Sequence, residues 1–215
     1  CAKVRIQTLR TVGGGTAALR ENIDVYLEHD LVSRMRSVVP EDAGNRAGSA
    51  EALAAEFLAQ HRVFVADFPD ATARWSFEVS VDAVYNTDSV ATLDIVEFTF
   101  TGGAHPNTRR RLVSFDVDTG RLLGAEDLTR DVEGLAAVAE AHLRSDRGLG
   151  PDDDLEAAGF WLPEGGFTLP DNMGVVAEGI VFHWDAYEIA PYAMGPIDVT
   201  IPVADLTEVA APAYW

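Results

Sequence analysis

The sequence predicts an α+β fold: an antiparallel or mixed, twisted sheet with helices packed on one face, divided into two small subdomains, residues 1–100 and 101–215, that share a core. Three patterns predict it. Apolar residues recur about every four positions from residue 16 to 35 and again from 49 to 64, the spacing of helices buried on one side. Trp75, Phe77, Val79, Val81, Ala83 and Tyr85 then hold six successive odd positions, with Ser76, Glu78, Ser80 and Asp82 between them, which is the period of a strand with one buried face. Turn residues after this run return the chain twice, which makes an antiparallel meander.

Taken in order, Val4 and Ile6 alternate with Lys3, Arg5 and Gln7 as a first half-buried strand, which Gly13-Gly14-Gly15 ends. The first helix starts at Thr16 and carries Leu19, Ile23, Leu27, Leu31 and Met35 on one stripe, widened by Tyr26. Residues 40–48 read as a loop. Ser49 is an N-cap for a second helix whose Leu53, Phe57, His61 and Phe64 share a face. The long strand from Trp75 turns at Asn86-Thr87-Asp88-Ser89. Leu93 to Phe100 is strand again, with apolar residues on both parities, as at a bulge or a doubly covered centre. Val113, Phe115 and Val117 alternate as the third strand of the meander, and Asp118-Thr119-Gly120 turns once more. Residues 131–144 form a helix with Leu135, Val138, Ala139, His142 and Leu143 inward, residues 150–172 are mostly loop, and 175–184 and 197–201 are late strands.

The chain has 215 residues, 47% of them apolar, and 16 Lys and Arg against 35 Asp and Glu, a net charge of −19. That length suits one domain or two small ones with an ordinary core. Such a charge repels phosphate backbones and anionic headgroups, so nucleic acid is excluded as a partner and cationic proteins are favoured. The asymmetry is sharper than the total, because no Lys or Arg occurs from Gly148 to Trp215. No stretch reaches the roughly 18–20 consecutive apolar residues of a membrane span. The single cysteine is Cys1, so no disulfide can form within the chain. A chain opening on Cys rather than Met reads as processed or trimmed. Bacterial lipoproteins mature by cleavage just before an acylated Cys, so Cys1 is a candidate lipidation site and the one route to a membrane.

Two segments are more specific than the rest. The first is Thr101-Gly102-Gly103-Ala104-His105-Pro106-Asn107, followed by Phe115-Asp116-Val117-Asp118-Thr119-Gly120 and Asp127-Leu128. The second runs from Val181-Phe182-His183-Trp184-Asp185 through Ala186-Tyr187-Glu188-Ile189-Ala190-Pro191-Tyr192 to Gly195, ending in Val199-Thr200-Ile201-Pro202. Together they resemble the extracytoplasmic domain of the RsiV anti-sigma factor family, also found beside deacetylase domains in PdaC-like proteins and in a secreted mycobacterial immunogen. The resemblance implies an α+β module, periplasmic or on the cell surface, that recognises lysozyme in RsiV and has no catalytic activity of its own. The sigma-binding segment, the membrane helix and a deacetylase domain are absent from this sequence, so only the sensing or binding part carries over.

Read without the family, most of the first motif is turn chemistry: Gly102 and Gly103 for positive φ, Pro106 for a fixed φ and Asn107 for a local hydrogen bond. His105 is left at a rim. Tyr187 and Tyr192 cap the core or face a partner, and His183, between apolar neighbours on a strand, reads as a satisfied structural histidine before it reads as a ligand. The candidate ligand-binding set is therefore Gly102, Gly103, His105, Asn107, His183, Asp185, Tyr187, Glu188 and Tyr192, offered to a lysozyme-like cationic protein or a peptidoglycan fragment. No catalytic residue, metal or cofactor is expected. There is no Gly-x-Ser-x-Gly elbow, phosphate loop or His-Glu-x-x-His, and Asp152-Asp153-Asp154 lacks the glycine and glutamate of a calcium loop. The alternative is a cell-wall hydrolase or esterase using His105 with Asp185 or Glu188, which requires His105 within hydrogen-bond reach of that carboxylate.

Overall fold

The structure, a computed structural model, describes residues 1–11, 15–207, 209 and 214. The expected break at Gly13-Gly14 lies outside them. Strand β1 (Ala2–Gln7) opens the chain, and β2 (Trp75–Asn86), β3 (Val90–Phe100) and β4 (Asn107–Asp116) follow the first helices; together they make one mixed sheet in the order β1-β2-β3-β4. β1 runs parallel to β2, joined in register from Ala2 opposite Trp75 to Gln7 opposite Ser80, and the other pairings are antiparallel. The second sheet is antiparallel, β5 (Met173–Val176), β6 (Gly179–Trp184) and β7 (Ile197–Pro202), in chain order.

Helix α1 (Ala17–Arg36) starts where Thr16 accepts the Leu19 N–H, and α3 (Ala50–Asp67) where Ser49 accepts the Ala52 N–H, so both termini are set by their side-chain caps. Leu19, Ile23, Leu27 and Met35 of α1 and Leu53 and Phe57 of α3 bury against Phe77, Val79, Leu93, Ile95, Val113 and Phe115, the odd-numbered face of the first sheet. Both helices lie on that one face. The region 40–48, expected to be loop, contains the six-residue helix α2 (Glu41–Arg46); Glu41 and Asp42 in its first turn complement the helix dipole.

α4 (Ala125–Leu128) and α5 (Val132–Asp146) cover the second sheet, with Leu135, Ala139 and Leu143 packed among Ile180, Phe182, Ile197 and Val199. His142, expected inward, sits at the rim with Nε2 3.1 Å from Asp205. The segment 175–184, read as one strand, is the β5–β6 hairpin. It turns at Gly179, whose φ of +150° and close approach to the Ile201 carbonyl leave no room for a Cβ. The bulge falls in β2, between Ala83 and Tyr85, while β3 is the doubly covered strand. β4 pairs along its length with β3, so the first sheet continues to residue 116, past the division expected at 100/101.

The core expected to be shared is built from two groups of buried side chains that meet where β5 rests on β3 and β4. There the contact is polar. Thr92 Oγ1 donates to the Val175 carbonyl (2.6 Å), Ser114 Oγ accepts the Val175 N–H (2.9 Å), and the two hydroxyls bond each other (2.8 Å). The hydroxyls thus satisfy groups of an edge strand that has no further strand beside it. Gly174 lets the backbones close up, since a Cβ there would stand 3.0 Å from Leu112 and 3.1 Å from Thr92.

Candidate functional site

The β3–β4 connection is a tip of bends over residues 101–106, with Gly102 at φ +101° and Gly103 at φ +103°, conformations that side chains other than glycine rarely adopt. Against it lies the segment following β6. His105 stacks on Tyr192, ring centroids 3.9 Å apart and planes 21° from parallel, and the Tyr192 hydroxyl donates to the Pro106 carbonyl at 3.4 Å. Tyr187 adds a third ring, 5.5 Å from Tyr192. The two motifs therefore meet at one exposed edge. His105 is exposed, Tyr187 is 55% and Tyr192 37% exposed, and Glu188 lies beside them in solvent. Tyr187 sits at φ +75°, alone in that region among the described residues other than glycine, so the loop holds this ring at a conformational cost. Asn107 opens β4 opposite Thr99, and among the described residues its side chain makes no hydrogen bond, in place of the local bond expected.

Beneath the edge is a polar network that the sequence reading did not assemble. His183 is 2% exposed and bonded at both nitrogens, Nδ1 to Asp198 (2.7 Å) and Nε2 to Asp185 (3.0 Å). Burial alone would pull its pKa down, but the two carboxylates outweigh it and push the imidazole up to about 9, so it is charged at neutral pH. Asp198 and Asp94 share Arg110, whose Nε and Nη2 fork onto Asp94 at 2.9 to 3.1 Å while Nη1 reaches Asp198 at 3.1 Å. His183 and Arg110 hold the Asp198 carboxylate below its ordinary range against the opposing effect of burial. Asp185 also accepts the Arg110 N–H (2.9 Å), and Glu188 accepts the Asp185 N–H (2.7 Å). Asn172 completes the edge of β4, taking the Leu112 N–H on Oδ1 and donating Nδ2 to the Arg110 carbonyl.

This geometry decides between the two readings of His183 and removes one expectation. His183 is the structural histidine, buried with both nitrogens engaged, and it supports the wall under the rim instead of forming its exposed surface. His105 is not paired with a carboxylate. Its Nδ1 donates to the Pro106 carbonyl (2.9 Å), Asp185 is occupied by His183 and the Arg110 N–H, and Glu188 by the Asp185 N–H, so the pairing on which the hydrolase alternative rested is absent among the described residues. Asp154 accepts the Glu156 and Ala157 N–H groups, the role of an acidic turn. Cys1 is exposed, and its carbonyl accepts the Trp75 N–H. The signals missed were Asp94, Asp198 and Arg110, charged residues on strands whose partners lie far away in sequence.

Fold and edge together define an α+β domain in which two sheets are joined by buried polar groups and present an exposed aromatic rim. Residues 126–204 match the family model described as a protein of unknown function, DUF3298, and residues 19–108 match the model described as Deacetylase PdaC. Each model matches one part of the chain, and together they support a domain of the DUF3298/PdaC-like kind. The crystal structure of a DUF3298 family member from Bacteroides fragilis NCTC 9343 is similar over 98% of this chain and 85% of that one, at 17% identity and a TM-score of 0.70. A DUF3298 family protein from Pseudomonas aeruginosa PAO1 is similar over 100% of this chain and 88% of that one, at 21% identity and a TM-score of 0.66. At such identities the likeness concerns the fold. No curated protein matches the chain.

Proposed function

We propose that the chain is a non-catalytic binding module of the cell envelope that recognises a cationic protein through the rim formed by His105, Tyr187 and Tyr192. The observation that carries this reading is the exposed cluster of three rings, His105 stacked on Tyr192 with Tyr187 tilted beside them, formed from two motifs about eighty residues apart and flanked by Glu188. Faces of tyrosine rings attract Lys and Arg side chains, and tyrosines fixed on a rigid scaffold bind with little loss of rotamer freedom. The surrounding segment adds charge of the right sign, since residues 148–215 contain twelve acids and no Lys or Arg. An extracytoplasmic location, with Cys1 as the lipid-bearing residue, belongs to the same reading.

The experiment is a calorimetric titration with lysozyme, a compact cationic protein, at low and moderate salt. Binding is expected to weaken as salt rises. Tyr192→Ala is expected to cost at least about 2 kcal/mol of affinity, the scale of an interfacial aromatic anchor. A saturable isotherm that Tyr192→Ala and Tyr187→Ala leave unchanged would remove the rim as the contact surface, and no binding at low salt would remove this partner.

A further inference from the structure

The period of β4 splits the run Arg109-Arg110-Arg111 between two faces. Arg110 turns to the second sheet and is taken up by Asp94 and Asp198. Arg109 and Arg111 fall on the α1 side with Val113 and Phe115, and among the described residues neither forms an ion pair there. Arg111 lies close to the Tyr26 hydroxyl, a neutral group. The carboxylates nearby are occupied. Glu97, opposite Arg109 in register, is 2% exposed and bonds Arg34 through Oε2 and Thr99 through Oε1; Asp30 is held by Arg34 at 2.6 Å.

Two guanidinium groups without counter-ions are unexpected in a chain of net charge −19, and they line a cleft of about 420 Å3 between α1 and the end of β4. α1 contributes Tyr26, His29 and Ser33 to the opposite wall, all able to donate hydrogen bonds. Three acids reach the cleft, Asp30 on α1 and Asp185 and Glu188 from the loop after β6. Each already accepts a hydrogen bond, but their charge remains.

We propose that this cleft binds a carboxylate, held by Arg109 and Arg111 with Tyr26 and His29 completing its donors. Guanidinium forks match planar carboxylates two bonds at a time. The choice of carboxylate over phosphate rests on the planar match to the guanidinium forks, because Asp30, Asp185 and Glu188 offset much of the attraction that the lining arginines would offer a second negative charge. The cleft adjoins the rim and shares Glu188 with it, but the arginines proposed to hold the carboxylate are separate from the rings His105, Tyr187 and Tyr192.

The test is a low-salt calorimetric titration of the whole chain with N-acetylalanine, a small monocarboxylate, and separately with inorganic phosphate. N-acetylalanine is expected to bind saturably and phosphate more weakly. Arg109→Gln combined with Arg111→Gln is expected to weaken the carboxylate by at least about tenfold, while Arg130→Gln, an exposed cation elsewhere, leaves it unchanged. The single variant Arg109→Gln, on an exposed side chain, provides the same reading with little structural change should the double variant lose its fold. No saturable carboxylate binding up to about 10 mM, an affinity too weak for a paired-arginine site, overturns the proposal. So does phosphate binding more tightly than N-acetylalanine, or a carboxylate isotherm that neither arginine variant alters.

Discussion

Raising the pH should loosen the domain through one group, His183. In the unfolded chain an imidazole titrates near 6.5, and in the fold Asp185 and Asp198 move it to about 9. A pKa raised by folding stabilises fully below the unfolded value, and this contribution disappears as pH climbs through the folded one. The window is therefore pH 6.5 to 9. A displacement of this size corresponds to roughly 3 kcal/mol, and the half-exposed Asp198 side chain, screened by water, lowers the expectation to about 2 kcal/mol. Urea unfolding at half-unit steps from pH 6 to 10 measures it, with the His183 ring resonances followed by NMR over the same range. In His183→Gln the additional slope should be absent, leaving the background titration of the other groups. A ring midpoint below about 7, or identical slopes in both proteins, would refute the assignment of a charged imidazole between two carboxylates.

Thr92→Val keeps the shape of the side chain but removes the hydroxyl that bonds Ser114 and Val175; it should cost about 1–3 kcal/mol in chemical denaturation, the range for stranding a buried partner. Gly179→Ala places a Cβ 1.9 Å from the Ile201 carbonyl at φ +150°, so β6 and β7 cannot keep their pairing; loss of more than about 3 kcal/mol, or failure to fold, is expected from thermal melts. Gly103→Ala meets no neighbour but retains the strained φ of +103°, so it should cost about 1–2 kcal/mol and weaken binding at the rim by displacing His105.

The elements that were legible in the sequence are those specified locally. Thr16, Ser49 and Asp131 stand at the starts of helices because each side chain accepts an N–H three residues on, a relation contained within one turn. The alternation from Trp75 to Tyr85 was equally local, and so were the two glycines of the β3–β4 tip. The parallel pairing of β1 with β2 was not legible, because three helices intervene between Gln7 and Trp75 and nothing in Val4 or Ile6 states their direction. Of the candidate site, the rings were visible as exposed aromatics in unusual turns. Their support was not, because Arg110 finds Asp198 across 88 residues and Asp185 across 75. An aspartate between Ile197 and Val199 has the same local pattern whether it faces water or a buried imidazole.

The uneven distribution of charge has a structural consequence that its total conceals. Residues 148–215 contain no Lys or Arg, so any carboxylate drawn into the interior of that stretch must be neutralised by His183 or by a cation from elsewhere in the chain. Asp198 uses both, His183 from its own sheet and Arg110 from the first, and Asp185 accepts a backbone N–H from that same arginine. The apolar surfaces of the two sheets could be buried in several relative positions, because such contact is not directional. A forked guanidinium between Asp94 and Asp198 tolerates few of them. With no Lys or Arg in residues 148–215, β4 supplies the arginine that bridges Asp94 and Asp198, and in that arrangement the glycine tip reaches Tyr192.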